Sequence, residues 1–167
     1  RRRRIAHAGG FRDTIVITEV IHSVWVSWRG RYAESIALAR ETEAIAREMH
    51  DGFNEIFLMS NRCFGHIALG QYSEALALIA DTRAKAADRQ SPFIVARVGN
   101  TQGWLYQEFG DFRRALELDR ESADTGKRIK NGNVEISSLI NVGFDELNLG
   151  SPQRALPNEL KYAVGIM

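Results

Sequence analysis

Gly110-Asp111-Phe112-Arg113-Arg114-Ala115-Leu116-Glu117-Leu118 has near-copies at a fixed distance along the chain. Gly70-Gln71-Tyr72-Ser73-Glu74-Ala75-Leu76-Ala77-Leu78 stands 40 residues upstream, and Gly30-Arg31-Tyr32-Ala33-Glu34-Ser35-Ile36-Ala37-Leu38 stands 40 before that. A weaker copy, Gly150-Ser151-Pro152-Gln153-Arg154-Ala155-Leu156-Pro157-Asn158, follows 40 downstream. The flanks keep the same register. Seven residues before each glycine stands a small residue (Ser23, Cys63, Gly103, Gly143), and six before stands an apolar one (Val24, Phe64, Trp104, Phe144). Four glycines in register with matching flanks mark an internal repeat, so the chain is read as a row of units.

Each unit reads as two helices. The first runs over about 13–29, 53–69, 92–109 and 133–149, and ends at its glycine, which adopts the left-handed conformation of a helix stop. The second follows over about 31–49, 71–89, 111–130 and 152–165. Tyr72, Ala75, Leu76 and Ile79 share one helical face. Small residues at Cys63, Gly103 and Gly143, and at Ala75, Ala115 and Ala155, suit close approach of paired helices. Ser91-Pro92 has the pattern of an N-cap followed by proline at the first helical position. His50-Asp51-Gly52 and Asn131-Gly132 mark turns between units. Thr14-Ile15-Val16-Ile17-Thr18 is β-branched and also fits a strand, but the Gly30 register makes it helix. Pro157 predicts a kink or a late start in the last helix. No unit buries its apolar face alone, so neighbours must stack.

The residues Gly103…Tyr106…Gly110-Asp111-Phe112…Ala115-Leu116 and their counterparts resemble tetratricopeptide repeats over about 13–165. The resemblance implies an all-α fold: an α-solenoid of about four antiparallel helix pairs, coiled as a right-handed superhelix. The units fall at about 13–50, 51–90, 91–130 and 131–167, after an N-terminal tail or truncated edge over 1–12. The 40-residue unit is longer than usual for the family. It is similar to the variant found in large bacterial regulators, beside ATPase, nucleotide-cyclase or DNA-binding modules.

Composition narrows the function. The 167 residues are 44% hydrophobic and 26% charged, a globular balance. The formal charge is +1; without Arg1–Arg4, 18 basic residues face 21 acidic ones, a balance of −3. The body is no cationic nucleic-acid or membrane binder. Arg1–Arg4 is open to three readings: a weak anionic tether, a solvated tail, or the cut edge of a longer chain. No apolar run reaches membrane-spanning length, and the start lacks the apolar core of a signal peptide. One cysteine, Cys63, rules out an intrachain disulfide and suits a reducing, cytoplasmic setting.

Catalytic patterns are missing. Thr125-Gly126-Lys127 lacks the upstream glycine of a phosphate loop, and Gly99…Gly103 falls within a helix. His7, His22, His50 and His66 show no metal-ligand spacing, so neither metal nor cofactor is expected. His66 and Cys63 read as packing residues. Glu41, Glu43 and Glu48, alternating with Arg40 and Arg47, read as a solvated face.

In the family, first helices line a concave face that receives the ligand. Positions nine and six before each glycine should point there: Ile21, Asn61, Thr101 and Asn141, then Val24, Phe64, Trp104 and Phe144, with Arg97, Asn100 and Glu108 nearby. Asn61 and Asn141 match the groove asparagine of carboxylate-clamping repeats. The clamp's basic residues are replaced by Trp28, Ala68, Glu108 and Asn148, so the expected groove is aromatic and amide-lined. Phe64, Trp104 and Phe144 equally fit the seam between repeats. The expected function is a non-catalytic scaffold that binds a protein or peptide, or another domain of a longer parent chain. The alternative is a ligand-sensing segment of a bacterial signalling ATPase or cyclase. A third reading, a cryptic enzyme using His66 or Cys63, is the weakest. Gly150 leaves 17 residues and no capping helix. The expectation is therefore a homodimer through an uncapped repeat end, or a longer chain.

Overall fold

The computed structural model describes residues 12–155. Among them are seven helices: α1 (Arg12–Trp28), α2 (Tyr32–Glu48), α3 (Gly52–Ala68), α4 (Tyr72–Asp88), α5 (Pro92–Glu108), α6 (Phe112–Arg128) and α7 (Gly132–Asn148). A further helical turn opens at residues 152–155. Arg1–Arg4, Pro157 and most of the helix expected at 152–165 lie outside the described residues. The Thr14–Thr18 stretch is helical, inside α1.

Every helix is 17 residues long, and each starts 20 residues after the last. The structural period is therefore half the sequence period. The same stop is used each time. Gly110 N–H donates to Gln107 O at 2.9 Å, and Asp111 N–H to Tyr106 O at 2.9 Å. This pair of bonds satisfies carbonyls that the helix end leaves open. It requires a left-handed residue, and φ is +75° at Gly30, +69° at Gly70, +73° at Gly110 and +75° at Gly150. The alternate turns make the same bonds without glycine: φ is +57° at His50, +51° at Gln90 and +56° at Lys130. Gly52 and Gly132, the turn glycines of the sequence, are instead the first residues of α3 and α7.

Asp51, Asp111 and Asn131 cap α3, α6 and α7, accepting from the backbone N–H of Asn54, Arg114 and Val134. Ser91 occupies the cap position before Pro92, but its side chain makes no cap bond.

The chain forms two compact units, Arg1–Thr82 and Arg83–Met167, divided within α4. In the first unit α1 packs on α2, and α2 on α3. Val16, Val20, Ala39, Ala46 and Leu58 form its core, with Ile45, Met49 and Phe57 against it. Full burial of a side chain such as Leu58 contributes roughly 1.5–3 kcal/mol. Gly65 of α3 lies so close to α2 that a Cβ there would come within 2.8 Å of Ile36. Glu43 corrects the sequence reading. It is 6% exposed and pairs with Arg47 on its own helix and Arg62 of α3, so it is a buried link between helices and not part of a solvated face. In the α4 stripe Ala75 and Ile79 are buried, while Leu76 is 40% exposed.

In the second unit α5 packs on α6, and α6 on α7. Ile94, Val98, Leu105, Ala115, Val134 and Val142 are buried. Gly126 of α6 admits the start of α7: a Cβ would stand 2.5 Å from the Glu135 backbone nitrogen.

Candidate functional site

The asparagines of α5 and α7 converge on one residue of α6. Asn100 Nδ2 donates to Asp119 Oδ1 at 2.6 Å, and Asn141 Nδ2 donates to the same oxygen at 3.3 Å. Asp119 is fully buried, and its Oδ2 has no hydrogen-bond partner. It occupies the space that Gly103 leaves open, since a Cβ on Gly103 would fall 2.3 Å from Oδ2. Burial pushes the Asp119 carboxyl up to about 8; the Asn100 and Asn141 bonds oppose this and the nearby Asp145 adds to it. At neutral pH Asp119 is largely protonated.

Asp145 of α7 repeats the theme. It is fully buried, and its Oδ1 accepts from Gln107 Nε2 of α5 at 2.8 Å. Burial pushes it up to about 6, against the Gln107 bond and with Glu146 adding to the rise. Glu146, 1% exposed, pairs with Arg120 of α6 and makes an ion contact with Arg154 at 3.3 Å. Beside it, Ala123, Leu139 and Val142 line a cleft of about 320 Å3, with Arg120, Asp124, Glu146 and Arg154 completing its wall.

The other expected groove residues divide between the units. In the first, Asn61 is only 4% exposed, with Nδ2 3.5 Å from Ser23 Oγ. The Phe64 ring is half-buried, its centroid 6.2 Å from Tyr32. In the second, Thr101 is buried and donates its hydroxyl to Arg97 O at 3.1 Å. Arg97 is half-buried. Trp104, half-buried, donates Nε1–H to Glu108 Oε1 at 2.9 Å across one turn of α5. Phe144 is 48% exposed and meets Phe112 edge-on at 6.1 Å. Asn100, Asn141, Trp104 and Phe144 thus retain exposed or half-exposed surface, whereas Asn61 and Thr101 are closed off by neighbouring structure.

Asp119, Asp145 and Glu146 were not among the residues the sequence pointed to. The repeat register carried the signal. Asp119 stands in register with Ala39 and Ile79, both buried, and Asp145 with Leu105. An acid in an apolar register position, opposite a glycine, marks a buried carboxyl.

The groups weighed for chemistry sit as follows. Burial pushes the Cys63 thiol up to about 12, so it holds no thiolate at neutral pH. His66 is 8% exposed, with Nδ1 2.7 Å from Gln71 Oε1. Thr125-Gly126-Lys127 and Gly99…Gly103 lie inside α6 and α5. Among the described residues no cluster of three or more His, Cys, Asp or Glu is placed to hold a metal ion. No described helix is long and apolar enough to cross a membrane.

No protein-family model matches the chain, and no curated protein matches it. A solved structure does: BtubC (BKLC) from P. vanneervenii, with a TM-score of 0.74 at 17% identity, over 96% of this chain and 67% of that one. The likeness shows the fold, a helical repeat.

Proposed function

We propose that the chain is a non-catalytic, tetratricopeptide-type interaction module. It takes a peptide segment, of a partner protein or of another domain, on the α5 and α7 surface of the second unit. The observation supporting this is the fixing of Asn100 and Asn141 by one buried carboxyl. Each amide donates inward through Nδ2, which leaves its Oδ1 as the group that accepts from a partner's N–H. Both side chains are half-buried, so they are held at the surface with little rotamer freedom left to lose on binding. Trp104 and Phe144 add aromatic surface of the kind that anchors interfaces. A reducing, cytoplasmic setting suits the single buried thiol.

The test is selection of peptides from a random display library, with affinities measured by fluorescence anisotropy. W104A/F144A weakens the selected peptides at least about tenfold, the loss of one or two anchor contacts, and leaves the helical circular dichroism intact. Affinities that ignore the double substitution would sink this surface.

The Arg120–Arg154 cleft favours a second reading, a small-ligand sensor within a bacterial signalling ATPase or cyclase. Its volume is at the lower bound for ligand pockets. A thermal-shift screen of nucleotides and small metabolites, repeated on L139W to fill the cleft, separates the two readings. A stabilising compound lost in L139W supports the sensor; no such compound leaves the peptide module.

A further inference from the structure

The repeat register lays the second unit on the first, two repeats on. The core cluster Val16, Val20, Ala39, Ala46 and Leu58 becomes Ala96, Asn100, Asp119, Gly126 and Ser138. Around it, Ile45, Met49 and Phe57 become Thr125, Ile129 and Ser137. Apolar bulk is lost at most of these positions, and polar groups take its place.

The units also bury charge differently. In the first, Glu43 sits against Arg47 and Arg62; at the register of Glu43 and Arg62 the second unit has Ala123 and Val142. In the second, Asp119 and Asp145 rest on amides: Asn100 and Asn141 for one, Gln107 for the other. Four buried atoms there make no hydrogen bond: Asp119 Oδ2, Ser138 Oγ, Asp145 Oδ2 and Glu146 Oε2, the last with an ion contact to Arg154. All four lie on α6 and α7. Among the described residues of the first unit the one such atom is Arg62 Nε. A buried polar atom of this kind gains hydrogen bonds when water reaches it, so each one lowers the cost of opening the structure around it. The least stable cooperative segment of a fold opens first.

We propose that α6 and α7 open together from α5 while the first unit stays closed, a sub-global opening built into the second unit. It parts Asp119 from Asn100 and from the gap at Gly103, and Asp145 from Gln107, so the two asparagines lose their shared anchor. A peptide spanning α5 and α7 then shifts the balance toward the closed state; this consequence rests on the proposed peptide surface, whereas the opening does not. Protons move with the opening. Asp119 faces Asn100 of α5 and Asn141 and Asp145 of α7; beside Asp145, Glu146 meets Arg120 of α6 and Arg154. Burial holds the closed Asp119 carboxyl up at about 8. The closed unit therefore keeps a proton that the open one releases, and opening grows easier as pH rises toward that value.

Hydrogen exchange of the full chain, read helix by helix with no peptide present, is the test. The slowest amides of α6 and α7 are expected to exchange at least about tenfold faster than those of their register partners α2 and α3, after correction for intrinsic rates. N100V/G103S/D119A/S138L gives the second unit the filling of Val20, Ser23, Ala39 and Leu58. It should slow α6 and α7 by at least about tenfold and leave α2 and α3 unchanged. The pH dependence decides without any variant: between about pH 6 and 7 the opening constant of α6 and α7 rises about tenfold, and that of α2 and α3 stays nearly flat. Amides of α6 and α7 as slow as those of α2 and α3, a four-residue exchange that leaves the gap between the units unchanged, or one pH dependence shared by both would each overturn the proposal.

Discussion

The two units share one helical register and fill it differently. In the first, Ala39 and Ala46 lie in the apolar Val16–Leu58 core, Ser35 ties α2 to α1 through the Ser23 carbonyl at 2.7 Å, and the buried carboxylate, Glu43, is paired with Arg62 of α3. In the second, the register partner of Ala39 is Asp119, the partner of Ala46 is Gly126, and the partner of Ser23 is Gly103. One glycine makes room for a carboxyl and the other for a backbone. The backbone path is the same, so the repeat constrains where helices turn far more than what fills the space between them. Polar filling has a consequence that apolar filling lacks: it fixes the surface asparagines from beneath.

The largest break between the units is expected at Gly126. Its added methyl meets backbone, which cannot rotate away, so G126A loses about 2–3 kcal/mol in urea unfolding. The reverse change at the matching site, A46G, costs only about 1 kcal/mol of helix propensity plus a small cavity. Gly103 comes next. G103A displaces a side chain held by two hydrogen bonds and loses about 1–3 kcal/mol; D119A in the same background recovers part of that loss, as a double-mutant cycle will show. The smallest effect lies in the turns. Lys130→Gly relieves a left-handed backbone and raises stability by about 0.5–1 kcal/mol, whereas Gly110→Ala lowers it by about 1 kcal/mol or more. Thermal melts of the two variants should move in opposite directions.

The turns also show what was legible. The 40-residue repeat and the helix ends at Gly30, Gly70 and Gly110 were readable because glycine is the residue that takes a left-handed stop without strain. The second helices, expected over about 31–49, 71–89 and 111–130, were readable too, but the left-handed stop that ends them was not, because His50, Gln90 and Lys130 have no shared chemistry to announce it. Spacing placed the repeat and its helix pairs, and the resemblance to tetratricopeptide repeats supplied the α-solenoid. The candidate surface was only partly readable: register pointed to Asn141, Trp104 and Phe144, with Asn100 named beside them, but Asn61 and Thr101 are buried. Asp119 was hidden by its neighbours. Within Glu117-Leu118-Asp119-Arg120-Glu121 it looks like one more solvated charge, as Glu43 does among Glu41, Arg47 and Glu48. Burial of a charge depends on what the facing helix leaves open, here Gly103, and local sequence does not carry that.

The central claim is that the second unit is built on a protonated, buried Asp119. Asp119 and Asp145 have raised pKa values in the folded chain, about 8 and about 6. The folded state therefore binds more protons than the unfolded state between the ordinary carboxyl range and about 8. Stability must then fall as pH rises through that window. Urea unfolding at pH values from about 5 to about 9, for the parent and D119N, tests this directly. The parent is expected to lose about 1–3 kcal/mol across the range. D119N, which keeps the acceptor for Asn100 and Asn141 and cannot titrate, retains only the shallower fall due to Asp145 below about pH 7. A parent whose stability rises with pH, or a D119N profile parallel to it, would contradict the account.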